Sequence, residues 1–339
     1  MHNWYKNRRH HGIVLTSLDQ DFAKGSAAMG SIFVDDDDSS KRFLFYTGAQ
    51  DKEWSKSAIG LATSSNGVNF RQNSRDPLVE GSNDSFCKYQ ALNPAVIRMK
   101  NRFYMIFAGK YSPNSPRTIG IAFADDLEGP WHIIGELIRP SHFWEGNAID
   151  NGCTVVKLND ETLLLFYSSL TSPKIYDVFC SLRRYPIRRI GILKVRVSGT
   201  SPSSIEAMRF SGNPLKHLNG PKNSWNESVF CPGYVKLDGT HYLFPAASTY
   251  SLRFPFKQYI GMVRSNTPCF TKETPQAAKL IDGPVEKTAI VPNIKSEIAL
   301  DTPSPYFDIE KRRLFLYYSV ADRADEGWKI ALTTFNLSN

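Results

Sequence analysis

A short phrase recurs along the chain: an apolar strand, a polar turn, a second strand ending in an aromatic and a small residue, and a third strand that usually opens Ile-Gly. The first copy runs from Gly30 through Arg42–Gly48 to Ala58–Thr63, and the second from Asn93 through Arg102–Gly109 to Thr118–Phe123. The third runs from Gly152 through Thr162–Ser168 to Arg189–Leu193, and the fourth from Gly233 through His241–Ala246 to Tyr259–Val263. The fifth joins Ser304–Asp308, Arg313–Ser319 and Trp328–Leu332. The Ile-Gly landmarks start at 59, 119, 190 and 260. That period is too long for a solenoid turn and suits a four-stranded propeller blade. The repeats therefore predict an all-β chain, a five-bladed β-propeller with four-stranded antiparallel blades. It is expected as one domain over residues 1–339, with blades at 26–75, 88–135, 147–200, 225–275 and 297–339. Outer strands are expected at Val68–Arg71 and Trp131–Ile134, and residues 10–17 should close the ring as the outer strand of the last blade. Closure hides sheet edges that would otherwise pair with other chains. Helical pattern is limited to a hint over Thr274–Leu280, and a β-sandwich would leave five aligned copies unexplained.

With 339 residues, 41% of them hydrophobic, the chain can bury a large core without staples. It holds no apolar run of the roughly 20 residues that cross a bilayer, so no membrane partner is expected. The basic N-terminus lacks a following apolar segment and does not read as a signal peptide. Five scattered cysteines without a Cys-x-x-Cys pair argue against a disulfide framework or zinc site and suit a reducing, cytoplasmic setting. The net charge of +8 reads either as a solvated basic surface or as attraction for an anionic partner. Its one dense cluster, Arg183 to Arg189, reads as a hairpin tip, and no nucleic-acid module accompanies it. Oligomeric state is not legible.

In a propeller, the connections into each innermost strand and the loops between second and third strands share one face and converge on the axis. The approaches supply Tyr89, Gln90 and Asn93, then Trp144, Glu145 and Asp150, then Trp225 and Glu227, and lastly Asp301. The loops add Asp51, Glu53, Trp54, Lys110, Tyr111, Arg253 and Arg323. Carboxylates and amides bond sugar hydroxyls while aromatic faces pack on the ring, so this mixture suits a carbohydrate. Cleaving a glycosidic bond takes two carboxyl groups, one protonated and one ionised. Asp150, Glu227 and Asp301, at comparable places in three blades, are the catalytic candidates. Trp54, Tyr89, Gln90, Asn93, Trp144, Glu145, Trp225 and Arg253 are the substrate-binding candidates.

The run Asn93-Pro94-Ala95-Val96-Ile97, Phe103–Phe107, Ile119–Asp125 and Gly129-Pro130-Trp131 resembles the second blade of family 43 glycoside hydrolases. Their five-bladed relatives include invertases, levansucrases and mannoside phosphorylases. The resemblance extends weakly from about residue 26 to 335. It implies three axial acids: an Asp base or nucleophile in blade one, an Asp that tunes pKa in blade three, and a Glu general acid in blade four. Ala148-Ile149-Asp150 matches the second of these, with Asn151 in place of the family's proline. Blade one has Met29-Gly30 where the family has Asp-Pro, with Asp19 and Asp21 farther upstream. In blade four Phe230-Cys231-Pro232 falls on the family's Glu-Gly-Pro, with Glu227 three residues earlier. No metal or cofactor motif is present, although some relatives hold a structural cation, such as calcium, on the axis. Three functions follow as alternatives. One is an enzyme cleaving or transferring a glycosidic bond of an oligosaccharide, with Lys52, Lys110, Arg253 or Arg323 available should phosphate be the attacking group. The second is a carbohydrate-binding propeller that lost its acids, and the third an adaptor for protein or a polyanion.

Overall fold

The computed structural model describes residues 4–17, 21–35, 38–52, 54–170, 187–248, 258–271, 279–280, 298–322 and 327–337. Strand β1 (Arg8–Leu15) precedes five antiparallel meanders. The first holds β2 (Ser26–Asp35), β3 (Asp38–Ala49), β4 (Ser57–Ser64) and the short β5 (Arg71–Gln72). The second holds β6 (Gln90–Met99), β7 (Arg102–Lys110), β8 (Arg117–Ala124) and β9 (His132–Ile138). The third consists of β10 (Ile149–Lys157), β11 (Thr162–Ser169), β12 (Ile190–Val197) and β13 (Ile205–Arg209). The fourth comprises β14 (Ser228–Leu237), β15 (Thr240–Ser248), β16 (Gln258–Ile260), β17 (Val263–Ser265) and β18 (Lys279–Leu280). The fifth has β19 (Ile298–Asp308), β20 (Arg313–Asp322) and β21 (Trp328–Asn336), and β1 pairs along β21 as its outer strand.

The first strands of the meanders pack side by side, β2 on β6, β6 on β10, β10 on β14, β14 on β19, and β19 back on β2. The apolar faces are buried between successive sheets. Phe45 and Ile59 meet Met105 and Phe107; Ile106 and Ile119 meet Leu165 and Leu193; Phe166 and Ile192 meet Leu243 and Val263. Phe244 and Ile260 then meet Leu316 and Tyr318, and Tyr317 and Leu332 meet Leu44 and Tyr46 of the first meander. The result is an all-β, propeller-like molecule in which almost every strand has an apolar neighbour on both faces. That is why the strand phrases read as near-continuous hydrophobic runs.

The Ile-Gly landmark has a steric cause. In each of the first four meanders an aromatic ring from the preceding loop lies on that glycine. A Cβ on Gly60 would fall 2.9 Å from Phe22, and one on Gly120 would fall 2.1 Å from Phe86. At Gly191 it would meet Trp144 at 2.8 Å, and at Gly261 Trp225 at 2.7 Å. Small residues that end the second strands have a different task. The hydroxyls of Thr47, Ser168 and Ser319 accept hydrogen bonds from the backbone N–H of Asn93, Cys231 and Met29 at 3.0, 3.1 and 2.7 Å. Each thereby ties a bulge in the next first strand, where the donor residue has positive φ.

Some expectations shift. The closing strand spans Arg8–Leu15, slightly ahead of 10–17, and the outer strand of the first meander reduces to Arg71–Gln72. The third strand of the fourth meander breaks at Gly261-Met262, beside Pro245 of β15, which has no N–H for the ladder. Lys279 and Leu280, in the segment with the helical hint, are strand. The described cysteines Cys87, Cys153, Cys231 and Cys269 are unpaired. No helix among the described residues is long and apolar enough to cross a membrane.

Candidate functional site

The bulges place one residue of each first strand at the same level around the axis. Opposite Thr47, Ala108, Ser168, Ala246 and Ser319 stand Ala28, Leu92, Asp150, Phe230 and Asp301. Two of the five level positions are therefore acidic, and they lie on the third and fifth meanders with Phe230 between them. Just beyond the bulges the axis is narrow: the Ser31 hydroxyl donates to the Cys153 carbonyl at 2.7 Å, joining first and third meanders across it. The two aspartates thus sit on one side of this cross-axis hydrogen bond.

Asp150 is 2% exposed. Its Oδ2 accepts from Nη1 of Arg117 at 2.9 Å, while Oδ1 has no partner among the described residues. Burial raises its carboxyl above the ordinary range, outweighing the opposing pull of Arg117 and, farther off, of Arg188. Asp301 is partly exposed and takes the Thr302 amide on Oδ1 at 2.6 Å. Burial pushes it up to about 6, with the Asp150 charge adding to the effect against Arg188, the Thr302 amide and the Cys231 thiol. Burial likewise drives the Cys231 and Cys153 thiols well up, so near neutral pH both are protonated and neither is a poised nucleophile. Two carboxyl groups that feel each other, one bound to a guanidinium and one disposed to keep a proton, are the inventory that acid–base chemistry on a sugar needs.

The repeat also carries two arginines to this level. Three residues before the landmark glycines Gly60, Gly120, Gly191 and Gly261 stand Ser57, Arg117, Arg188 and Gln258. These third-strand openers reach toward the next meander. Arg117 meets Asp150, and the Arg188 guanidinium lies 4.2 Å over the Phe230 ring. Arg188 therefore does not belong to a solvated hairpin tip. Its backbone is fastened to the start of β14 by Ser228 and Val229 at 2.8 and 3.2 Å.

The remaining candidates divide. Gln90 joins the site: its amide donates to the Trp54 carbonyl, and its oxygen accepts from Arg117 at 3.4 Å. Trp54 and Tyr89 are partly exposed beside it, and the Tyr89 amide is held by the Lys110 carbonyl at 2.8 Å. Burial, then the Arg117 charge, lower the Lys110 ammonium. Asn93 is the fully buried bulge residue of β6, where its carbonyl accepts from Asn151 at 2.6 Å. Trp144 and Trp225 are partly exposed, and their rings cover Gly191 and Gly261.

Glu145 turns inward at 0% exposure. Its oxygens accept from Arg209 and Tyr167 at 2.7 Å each and from the Ser141 and His142 amides at 2.8 and 3.0 Å. Burial works to raise its carboxyl, but these donors prevail and hold it below the usual range. It latches the loop that carries Trp144. Glu227 does the same one meander later, since its Oε2 accepts from the Asn223 amide at 2.9 Å beneath Trp225. Asp150 and Asp301 occupy equivalent ladder positions and feel each other's charge, and Glu227 lies outside that level. Asp51 caps its own loop through Ser55 at 2.9 Å, and Glu53, Arg253 and Arg323 lie outside the described residues. No group of three or more His, Cys, Asp or Glu among the described residues is placed to hold a metal.

No family model and no curated protein matches the chain. Solved structures do. A glycoside hydrolase superposes with a TM-score of 0.69 at 13% identity, covering 98% of this chain and 93% of that one. A family 117 glycoside hydrolase from Zobellia galactanivorans gives 0.61 at 11%, covering 98% and 91%, and a family 43 endo-arabinanase from Bacillus licheniformis gives 0.54 at 15%, covering 94% and 95%. At such identities the likeness is one of fold. It bears out the resemblance to family 43 glycoside hydrolases and their kin at that level.

Proposed function

We propose that this chain is a five-bladed β-propeller forming one domain over residues 1–339 and that its axial depression cleaves or transfers a glycosidic bond of an oligosaccharide. Asp301 acts as the protonated partner and Asp150 as the ionised one, with Gln90, Trp54 and Tyr89 lining the approach. The observation that carries this reading is the pairing of these two aspartates at equivalent level positions, one neighbour apart around the axis. Arg117 opposes the effect of burial on Asp150 and occupies its Oδ2, leaving Oδ1 for a substrate hydroxyl or a water. Asp301, near 6, can give a proton to a leaving oxygen and take one back from the attacking group. Like-fold glycoside hydrolases support the substrate class by analogy. Its unpaired cysteines suit a cytoplasmic location.

A panel of aryl glycosides and oligosaccharides, with and without phosphate, tests the reading. Turnover of at least one member is expected, with Asp150→Asn and Asp301→Asn each losing about 100-fold or more in kcat, the usual scale for a positioned acid or base. Activity should fall as pH rises past about 6, the Asp301 value. Silence across the panel, or variants that match the parent, would sink it. A second reading, a propeller that binds sugar without cleaving it, is favoured by Met29 and Phe230 standing where the family resemblance implies acids. It predicts glycan binding without turnover.

A further inference from the structure

We infer that the depression binds an oxyanion, a carboxylate or phosphate, on the Arg188 guanidinium, at the place between Asp150 and Asp301. This rests on the carbohydrate reading of the site and deepens it by giving the charge of the group that is held.

The argument begins from the repeat. Arg117 and Arg188 are equivalent residues, each three positions before a landmark glycine. Each crosses to the level position of the next meander. Arg117 finds a carboxylate there, Asp150 at 2.9 Å, whereas Arg188 finds the Phe230 ring at 4.2 Å. The fourth meander thus presents the Phe230 ring at the ladder position where the third presents a carboxylate. Stacking on Phe230 fixes the guanidinium plane and leaves its N–H edge available. Among the described residues that edge has no hydrogen-bond or ion-pair partner, since the described bonds of Arg188 are those of its backbone. Asp150 and Asp301 feel its charge without bonding to it.

A planar fork of N–H donors with no carboxylate of its own matches the two oxygens of a ligand carboxylate or phosphate. A neutral sugar hydroxyl would satisfy one N–H of the fork without matching its charge. The flanking aspartates set a condition. An oxyanion on Arg188 lies near both, so it binds better when Asp301 carries its proton, and affinity should rise as pH falls toward 5. The oxyanion has two sources, the acidic group of a uronic acid or sugar phosphate, or free phosphate.

Calorimetry and thermal-shift titration of the whole chain separate them. The probes are inorganic phosphate, glucuronate, galacturonate and glucose, each against potassium chloride at equal ionic strength. At least one oxyanion probe should bind and raise the unfolding midpoint, more at pH 5 than at pH 8, with glucose inert. Arg188→Met keeps the stem over Phe230 and should weaken binding at least 10-fold, and Arg188→Lys should restore part of it. Matching circular dichroism melts without ligand show that the variants fold. Tightest binding of phosphate points to free phosphate, and tightest binding of a uronate to an acidic sugar; either supports the inference. No anion effect beyond chloride, or Arg188→Met binding like the parent, overturns it. Anion binding with a silent glycoside panel would leave this inference standing while the glycosidase reading falls. Turnover of neutral glycosides indifferent to Arg188→Met, with no anion bound, would do the reverse.

Discussion

Asp301 and Glu145 show how opposite environments act on the same functional group. Glu145 is ringed by four donors, and Asp301 by little besides one amide and a distant guanidinium. An aspartate whose native value lies near 6, against an ordinary 3.8, is at ease in the folded state only while protonated. Below about pH 4 both folded and unfolded chains hold the proton and nothing is lost. Between there and pH 6 the unfolded chain releases it first, so stability falls as pH rises, and above 6 the whole deficit remains. The gap corresponds to roughly 3 kcal/mol. Asp301→Asn should therefore raise the denaturant midpoint at pH 8 and change it little at pH 4, as urea titrations at both pH values would show. Equal effects at the two would mean that burial does not penalise the charge. A site that holds its acid at such a cost to stability is consistent with using the proton.

At the scale of elements, the loop before each of the first four meanders carries an aromatic plug seated on a glycine of the third strand. Phe86 on Gly120 is the tightest case, with a built Cβ 2.1 Å from the ring. Gly120→Ala must displace Phe86 or bend β8, and overpacking of this kind costs about 1–3 kcal/mol. Chemical denaturation should show the loss. An unchanged midpoint would mean that the ring is loosely held and the landmark glycine has another origin. Glu145 and Glu227 belong to the same device, since their carboxylates close the loops that deliver Trp144 and Trp225. Glu145 and Glu227, read in the sequence as site residues, thus also fasten the loops that lead into β10 and β14.

For the molecule as a whole, closure rests on β1. Its ladder along β21 runs from Arg8 opposite Phe335 to Leu15 opposite Ile330. Trp4 packs edge-on against Phe335 of the fifth meander and Tyr242 of the fourth, at 5.6 and 5.8 Å. Removing residues 4–15 bares the edge of β21 and opens the apolar layer beneath it. Such a truncation should lower the unfolding midpoint and promote concentration-dependent association through the free edge. Light scattering and thermal melts would detect both. A truncated chain as stable and as dispersed as the parent would show that the ring closes without β1.

What the sequence determined by itself was everything carried by repetition: the strand triplets, their order and the closing role of the N-terminal strand. Repetition is legible because every copy solves the same packing problem, an apolar strand with a neighbour sheet on each face. Only the tertiary structure decided which way each polar side chain turned. Glu227 and Asp301 look alike as acids beside a first strand, yet one turns back on its own loop and the other faces the axis, because the bulge and the Thr302 amide direct it there. Arg188 passed for a surface charge because its partner ring, Phe230, lies 42 residues away on another meander. Contacts across the axis join residues distant in the chain, and local pattern holds no record of them.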